Sequence, residues 1–190
     1  MVTGVETDQG QNKCEFVVNC AGMWALDLGL RNAIDIPLYA VEHFYALTEP
    51  LDDTYPQMPT FRDPDGLIYG REEVGGLLVG CFDREALPVR LSDLPTPFEF
   101  GLLNENWDQF MPYMEQAIHR IPALADCGVR TLVNGPESFT PDAEAHLDEA
   151  SELKNYFVLA GLSSSGVTRS GGMGGALARW IVEGLSLIHI

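Results

Sequence analysis

The sequence predicts an α/β protein whose central part is α+β, with a mixed, mainly antiparallel sheet. Three observations lead to this prediction. Strand-forming segments follow one another without an intervening helix between residues 38 and 82. A helical pattern with a one-sided apolar face begins near Asn106. A buried-looking strand at 156–160 runs into a glycine-rich turn and then into a second helical pattern.

The first thirty residues predict a hairpin followed by a short helix. Residues 2–7 and 15–19 have strand patterns, and Asp8 to Asn12 supply turn-forming side chains between them. Ala21-Gly22 then allow a tight turn, and residues 23–30 have a helical pattern.

The centre of the chain predicts a sheet. Residues 38–47 form a long strand rich in Tyr, Phe and Val. Two further strands, 66–72 and 76–82, are expected to pair around the turn 73–75. Residues 84–103 are a loop rich in Pro and Leu.

A helix is predicted from residue 106 to residue 119, although Pro112 is unfavourable inside a helix and favours two short helices as the alternative. A strand at 128–134, a loop at 135–142 and an exposed acidic stretch at 142–154 are expected to follow. The apolar face of the helix is formed by Trp107, Phe110, Met114 and Ile118.

The last part of the chain predicts a strand at 156–160, a Gly/Ser-rich turn at 161–175 and a helix at 174–183 that ends at Gly184. Residues 185–190 are apolar and carry no turn signal. A short strand is one interpretation of this tail, and a non-native segment is the preferred one.

The charge balance bears on possible partners. The chain has 11 basic and 28 acidic residues, a net charge of −17, and its Lys and Arg do not cluster. This composition argues against nucleic acid and against anionic membrane surfaces as partners, because both bind clustered cations. No apolar run reaches the roughly 20 residues of a membrane span. The spacing of the four cysteines indicates neither a metal site nor a disulfide framework.

The strand, turn and helix between residues 156 and 183 form the most informative segment. Glycines allow the backbone to approach a ligand closely, and the helix N-terminus presents unpaired N–H groups to an electron-rich acceptor. Ordinary packing is the alternative, because short glycine motifs are common. No GxGxxG opens a βαβ unit, so the chain does not contain a complete dinucleotide-binding fold.

Three segments in order resemble a known family. They are VVNCAGMWA at 17–25, NGPESFTPD at 134–142 and NYFVLAGLSSSGVTRSGGMGGALARWIVEG at 155–184. Together they resemble the glycine-oxidase and sarcosine-oxidase class of FAD-dependent oxidoreductases, and most nearly its dimethylglycine dehydrogenase and sarcosine dehydrogenase branch. The resemblance covers almost the whole chain up to Gly184.

The resemblance implies FAD as the cofactor and a partial FAD-binding domain made of residues 1–34 and 140–184, with a substrate domain at 35–139. For Trp24 the alternative is a core aromatic, and for Asp142 it is a turn or helix cap. The implied cofactor-binding residues are Ala21, Gly22, Trp24, Thr140, Pro141, Asp142, Gly161, Leu162, Ser163 and Gly166.

For the substrate, the resemblance points to His43 in VEHFY and Tyr69 in LIYGRE. A histidine can accept the proton of an amine near neutral pH, and a tyrosine hydroxyl can hydrogen-bond the substrate. Arg71 is a third candidate, because a guanidinium can pair with a carboxylate through two hydrogen bonds. The alternatives are a structural strand histidine for His43 and a surface ion pair for Arg71. His119 and His146 are not expected to be catalytic.

The implied function is oxidative demethylation of a small N-methylated amino acid, such as dimethylglycine or sarcosine, by hydride transfer to FAD. The alternatives are a non-catalytic regulatory or binding relative and an FAD enzyme for another amino acid. The electron acceptor is open, and tetrahydrofolate would enter only through a further domain. The chain alone is expected to be inactive. The expected location is the cytoplasm, or the mitochondrial matrix in a eukaryote.

Overall fold

Residues 1–184 are described by a computed structural model, so the predicted non-native tail lies outside the described residues. These residues form two units, one made of residues 1–40 with the chain from Glu137 onward, and the other of Val41–Pro136. The strands are β1 (Gly4–Thr7), β2 (Gly10–Lys13), β3 (Val17–Asn19), β4 (Tyr39–Thr48), β5 (Phe61–Asp63), β6 (Ile68–Glu73), β7 (Gly76–Cys81), β8 (Pro88–Val89), β9 (Val129–Phe139), β10 (His146–Glu149) and β11 (Tyr156–Ala160). The α-helices are α1 (Ala25–Leu30), α2 (Trp107–Arg120) and α3 (Gly166–Glu183), and 3-10 turns cover Gly22–Trp24, Leu91–Asp93 and Pro122–Asp126.

The predicted mixture of helices and mainly antiparallel sheets is confirmed. The domain boundaries drawn from the resemblance remain a prediction, because the two units are defined by packing and not by the ligand that each binds. None of the helices within residues 1–184 is both long enough and apolar enough to cross a membrane.

The N-terminal hairpin differs from the predicted one. β1 pairs with β2, and the chain turns at Asp8-Gln9 between them. The segment that was expected to be the second strand of the hairpin becomes β3, which pairs in parallel with β11. The parallel pairing buries Asn19 and lets Val17 pack at the edge of an apolar core. Residues 10–13 follow the turn directly and take the place of this segment in the hairpin, while β3 pairs with β11.

The first unit has a three-stranded sheet in the order β10-β11-β3, in which β10 and β11 are antiparallel. Its core is formed between this sheet, α1 and residues 34–38, which follow α1. The buried members of this core are Val2, Ala25, Ile34, Ile36, Leu38, Tyr156, Val158 and Ala160.

Two predictions in this unit are wrong. The acidic stretch at 142–154 contains β10, whose residues His146, Leu147 and Glu149 are half-buried. The last helix begins at Gly166 and not near residue 174, so most of the expected glycine-rich turn is helical. Glycine lowers helix propensity by about 1 kcal/mol relative to alanine, and the apolar face that begins at Ala176 offsets this cost.

The second unit is built on a six-stranded sheet in the order β5-β6-β7-β4-β8, with β9 also paired to β4. Helix α2 covers one face of this sheet, and its predicted apolar face packs on the core there. The buried core on that face contains Phe44, Ala46, Ile68, Leu77, Val79, Cys81, Phe110, Met114, Ala117, Leu124 and Leu132.

Helix α2 is continuous, so the alternative of two short helices is wrong. The Asn106 side chain accepts a hydrogen bond from the Gln109 N–H at 3.3 Å and caps the helix. Pro112 lies on the exposed side, where water can solvate the Asp108 carbonyl that loses its intrahelical donor. β9 is longer than predicted and includes the segment 135–139 that was expected to be a loop.

A buried polar network joins three elements of the second unit. The side-chain amides of Asn106 and Asn134 each donate a hydrogen bond to Glu42 Oε2 at 3.0 Å. Asn134 also donates to the Asn104 carbonyl oxygen at 2.9 Å, and its exposed fraction is 1%. The network connects β4 and β9 to the residue that caps α2, so the polar groups hold the edge of the core in one register.

We expect Asn134→Ala to destabilise the chain by about 1–3 kcal/mol, because Glu42 and the Asn104 carbonyl each lose a buried donor. Urea unfolding followed by circular dichroism measures the change. Asn104→Ala is the matched control, since the Asn104 side chain is exposed, and we expect it to change the free energy of unfolding by less than about 0.5 kcal/mol. Equal effects of the two substitutions would contradict a structural role for the buried network.

Candidate active site

In the first unit, two turns follow two parallel strands at the same edge of the sheet. β11 pairs with β3 so that Val158 lies opposite Asn19. Continuing each strand by three residues brings Gly161 and Gly22 to the same edge, and both glycines have positive φ angles, 67° and 58°. Ligands of open α/β sheets bind at the carboxyl ends of parallel strands. The Ala-Gly turn and the final Gly/Ser turn therefore form one edge suited to a ligand.

Asn19, which is not among the residues predicted from the sequence, fixes the first of these turns. Its side-chain amide donates to the Ala25 carbonyl at 2.9 Å and to the Tyr156 hydroxyl at 3.0 Å, and its oxygen accepts from the Ala21 N–H at 3.1 Å. The signal in the sequence is an amide at the end of an apolar strand, directly before Ala-Gly. A buried amide must satisfy its hydrogen bonds, so it ties β3, α1 and β11 together.

The Thr-Pro-Asp segment packs directly against the final turn. A Cβ added at Gly161 would lie 2.5 Å from Thr140 Cγ2, so glycine is required there. The Thr140 N–H donates to Ser163 Oγ at 3.4 Å, and Thr140 Oγ1 donates to the Glu144 carbonyl at 2.7 Å. The structure thus joins three of the predicted cofactor-binding residues, Thr140, Gly161 and Ser163.

The turn between β11 and α3 is strained. Ser163 and Ser164 have φ angles of 46° and 64°, which are unfavourable for residues with a side chain. The Ser164 hydroxyl donates to Glu137 Oε2 at 2.7 Å, and the Ser165 hydroxyl donates to the Leu162 carbonyl. Such strain costs about 1–3 kcal/mol per residue and concentrates at ligand sites, where neighbouring contacts maintain it.

Helix α3 begins directly after this turn with Gly166. No side chain caps its N-terminus within the described part of the chain, and its first turn has no acidic residue. The first N–H groups of a helix lack intrahelical acceptors and lie at the positive end of the helix dipole. Five glycines of α3 have open space where a Cβ would project, namely Gly166, Gly171, Gly172, Gly174 and Gly175.

These features fit an electron-rich cofactor such as FAD. The uncapped helix N-terminus supplies hydrogen-bond donors, and the strained turn fixes the backbone beside it. A Cβ at Gly166 would meet no atom within 4 Å, so there is open space beside that helix end.

The remaining cofactor candidates are less enclosed. Trp24 is 46% exposed, so the alternative of a core aromatic is wrong. Asp142 accepts a hydrogen bond from the Glu144 N–H at 3.0 Å, which lowers the pKa of its carboxyl group and agrees with a turn-forming role. Pro141 is exposed beside it, and Leu162 is half-buried in the strained turn.

His43 and Tyr69 lie in the second unit, on the sheet face opposite α2. Both side chains contact Phe82: its ring centroid is 6.1 Å from that of His43 and 5.1 Å from that of Tyr69. Tyr69 is the direct cross-strand partner of Gly80, and its ring fills the space that a Cβ at Gly80 would need. The structure therefore groups the two predicted substrate residues around one aromatic ring.

Arg71, the third substrate candidate, pairs with Glu73 at 2.7 Å, and its side chain is 56% exposed. The interpretation as a surface ion pair agrees with this geometry. A different arginine reaches the aromatic group, because Arg62 Cζ lies 4.4 Å from the Phe82 ring centroid. Arg62 lies in β5, a strand of three residues that is too short to show a periodic pattern in the sequence.

His146, which is not expected to be catalytic, contacts the backbone of the first unit. Its ring Nε2 lies 3.1 Å from the Pro37 carbonyl oxygen. In its half-buried position in β10, the His146 ring thus contacts a backbone carbonyl in place of water. Residues 1–184 contain no group of His, Cys, Asp and Glu side chains that could hold a metal ion.

The parallel-strand edge, the strained turn and the uncapped helix are features of an α/β fold suited to an electron-rich cofactor. The chain belongs to the FAD dependent oxidoreductase family, whose model matches residues 1–180. The resemblance to the glycine- and sarcosine-oxidase class is thereby confirmed.

Curated relatives support the same membership. The chain is 45% identical to the mitochondrial pyruvate dehydrogenase phosphatase regulatory subunit of Mus musculus, over 96% of this chain and 21% of that protein. It is 40% identical to the formaldehyde-forming 4-methylaminobutanoate oxidase of Paenarthrobacter nicotinovorans, over 97% of this chain and 22% of that enzyme. It is also 40% identical to the mitochondrial sarcosine dehydrogenase of Mus musculus, over 96% of this chain and 20% of that enzyme. The chain thus spans about a fifth of the length of these relatives.

Solved structures show the same fold. L-proline dehydrogenase from P. horikoshii superposes with a TM-score of 0.78 at 21% identity, over 97% of this chain and 47% of that chain. Glycine oxidase from Geobacillus kaustophilus superposes with a TM-score of 0.72 at 22% identity, over 95% of this chain and 45% of the oxidase chain. At these identities the similarity concerns the fold alone.

We expect Gly161→Ala to destabilise the chain by about 1–2 kcal/mol, because alanine is unfavourable in the left-handed conformation of this residue. The clash of the new Cβ with Thr140 should destabilise it further. Thermal and urea unfolding of the purified chain measure the effect. Gly172→Ala is the matched control, because its Cβ meets open space inside α3; we expect it to be neutral or to stabilise by up to about 1 kcal/mol. A Gly161→Ala chain as stable as the wild type would show that the turn does not need glycine.

Proposed function

We propose that the protein to which this chain belongs catalyses the FAD-dependent oxidative demethylation of a small N-methylated amino acid, of the dimethylglycine or sarcosine type. The observation that carries the proposal is the grouping of His43 and Tyr69 around Phe82 in a member of an FAD-dependent family. Two of the relatives named above oxidise N-methylated amino acids, according to their names. This activity concerns the whole protein, of which the chain spans a small share.

The two units take different parts in the proposal. The first unit, with the turn at 161–165 and the N-terminus of α3, holds the electron-rich edge of the cofactor through backbone N–H groups. The implied cofactor set also includes Ala21, Gly22 and Trp24. The second unit binds the amine. When bound, FAD supplies the acceptor for the hydride that leaves the N-methyl carbon.

His43 and Tyr69 act on the amine end of the substrate in different ways. An amine can release a hydride from its methyl carbon when its nitrogen lone pair is free, so the ammonium form must first lose a proton. We assign this proton to the His43 imidazole, since histidine accepts protons near neutral pH. The Tyr69 hydroxyl orients the substrate by hydrogen bonding, and the absence of a Cβ at Gly80 makes room for the Tyr69 ring.

A non-catalytic regulatory role is the second candidate. The observation that favours it is the 45% identity to a regulatory subunit. A relative of this kind would keep the fold and the cofactor edge without turning over an amine. An FAD enzyme for another amino acid is the remaining alternative, and a panel of amino acids with and without N-methyl groups separates it from the first proposal.

We expect His43→Gln to lower kcat/KM for the methylated amine by about 10²–10⁴-fold, and Tyr69→Phe to lower it by about 10-fold, since one hydrogen bond is lost. The rate of anaerobic flavin bleaching by sarcosine, dimethylglycine or 4-methylaminobutanoate measures both effects in the longest polypeptide that the gene encodes.

His119→Gln is the matched control, because His119 is exposed near the end of α2; it should leave the bleaching rate unchanged. Bleaching at the wild-type rate in both site variants would refute the assigned roles. A purified protein that binds flavin but bleaches with no amine would favour the regulatory candidate.

A further inference from the structure

Arg62 occupies the same sheet face as His43 and Tyr69. It is the direct cross-strand partner of Tyr69 in the β5–β6 pair, and Tyr69 is in turn the partner of Gly80 on β7. Directly opposed residues of an antiparallel pair point to the same face, with Cβ atoms about 5 Å apart. The register therefore sets Arg62 beside Tyr69 rather than on the α2 side, where its neighbour Asp63 pairs with Arg120.

Phe82 links all three polar side chains. Arg62 Cζ lies 4.4 Å from the Phe82 centroid, and the rings of His43 and Tyr69 contact the same phenyl group. A guanidinium over an aromatic face is held by its cation–π attraction, and its N–H groups remain available around its edge. The ring thus restricts the rotamers of Arg62 without using its hydrogen-bond donors.

Arg62 has no carboxylate partner among residues 1–184, although the chain has 28 acidic residues. Arg71, on the neighbouring strand, differs in this respect because Glu73 neutralises it. Of the two arginines on this face of β5 and β6, Arg62 is thus the one whose charge is available to a ligand.

We propose that Arg62 binds the carboxylate of the substrate, so that the site selects N-methylated amino acids over simple methylamines. This inference rests on the proposed function. The arginine fork forms two parallel hydrogen bonds to a carboxylate, while the neighbouring Tyr69 and His43 face the amine end of the same molecule. Arg62 is a substrate-binding residue that fixes specificity and takes no part in the proton transfer.

The test compares carboxylated and carboxylate-free amines. Sarcosine, dimethylglycine and 4-methylaminobutanoate are titrated calorimetrically into the longest gene product, as wild type, Arg62→Gln and Arg62→Lys, with trimethylamine as the carboxylate-free probe. Arg62→Gln should weaken binding of the preferred amino acid by about 10- to 100-fold, leave trimethylamine binding unchanged, and raise KM more than it lowers kcat. Arg62→Lys should be intermediate, since it keeps the charge but loses the fork.

Arg90→Gln is the matched control, because it removes the same charge from an exposed position in the same unit; it should bind as the wild type does. Circular dichroism melts establish that each variant folds. The proposal is overturned if Arg62→Gln binds the carboxylated amines with wild-type affinity, or if it loses as much affinity for trimethylamine as for them. It is also overturned if Arg71→Gln loses affinity instead, or if no carboxylated amine binds at all. Arg62-dependent binding without flavin bleaching would instead refute the demethylation activity and leave the carboxylate site standing.

Discussion

The parallel pairing of β3 with β11 is the constraint on which the first unit depends. It joins residues 17–19 to residues 156–158, near the two ends of the described chain. Closing so long a loop costs conformational entropy, and the strands repay it by burying Val158 and Ala160 in a shared core. Asn19 then fixes the pair with hydrogen bonds to Ala25 and Tyr156. Because both strands run in the same direction, both glycine turns emerge at one edge.

In the second unit the alternation of strand side chains has a comparable effect. Phe44 and Ile68 are fully buried beneath α2, which forces His43 and Tyr69 to the opposite face. A shift of register by one residue would exchange the two faces, and the buried network of Glu42 with two asparagines opposes such a shift. The position of His43 and Tyr69 on one face is therefore a consequence of how the core packs on the other side.

The sequence was sufficient to predict most strands and α2, because each depends on local periodicity, whereas His43 and Tyr69 were indicated only by the resemblance to a known family. It was insufficient where distant contacts decide. β3 leaves its expected hairpin because β11, far along the chain, buries it better. The short β5 has no periodicity of its own, and pairing with β6 defines it. α3 begins at Gly166 despite its glycines, because tertiary packing of Ala176 and Leu177 outweighs propensity.

A chain with a net charge of −17 repels the carboxylate group of an amino acid, so a carboxylate site needs a local cation. Screening limits the repulsion to about 8 Å at physiological ionic strength. Within that distance a few neighbouring charges decide the balance, whatever the total. On the sheet face around Phe82, Arg71 is neutralised by Glu73, and Arg62 is held by an aromatic ring that carries no opposing charge. An aromatic support positions the cation without competing for it, whereas a carboxylate support would have to be displaced by each substrate molecule.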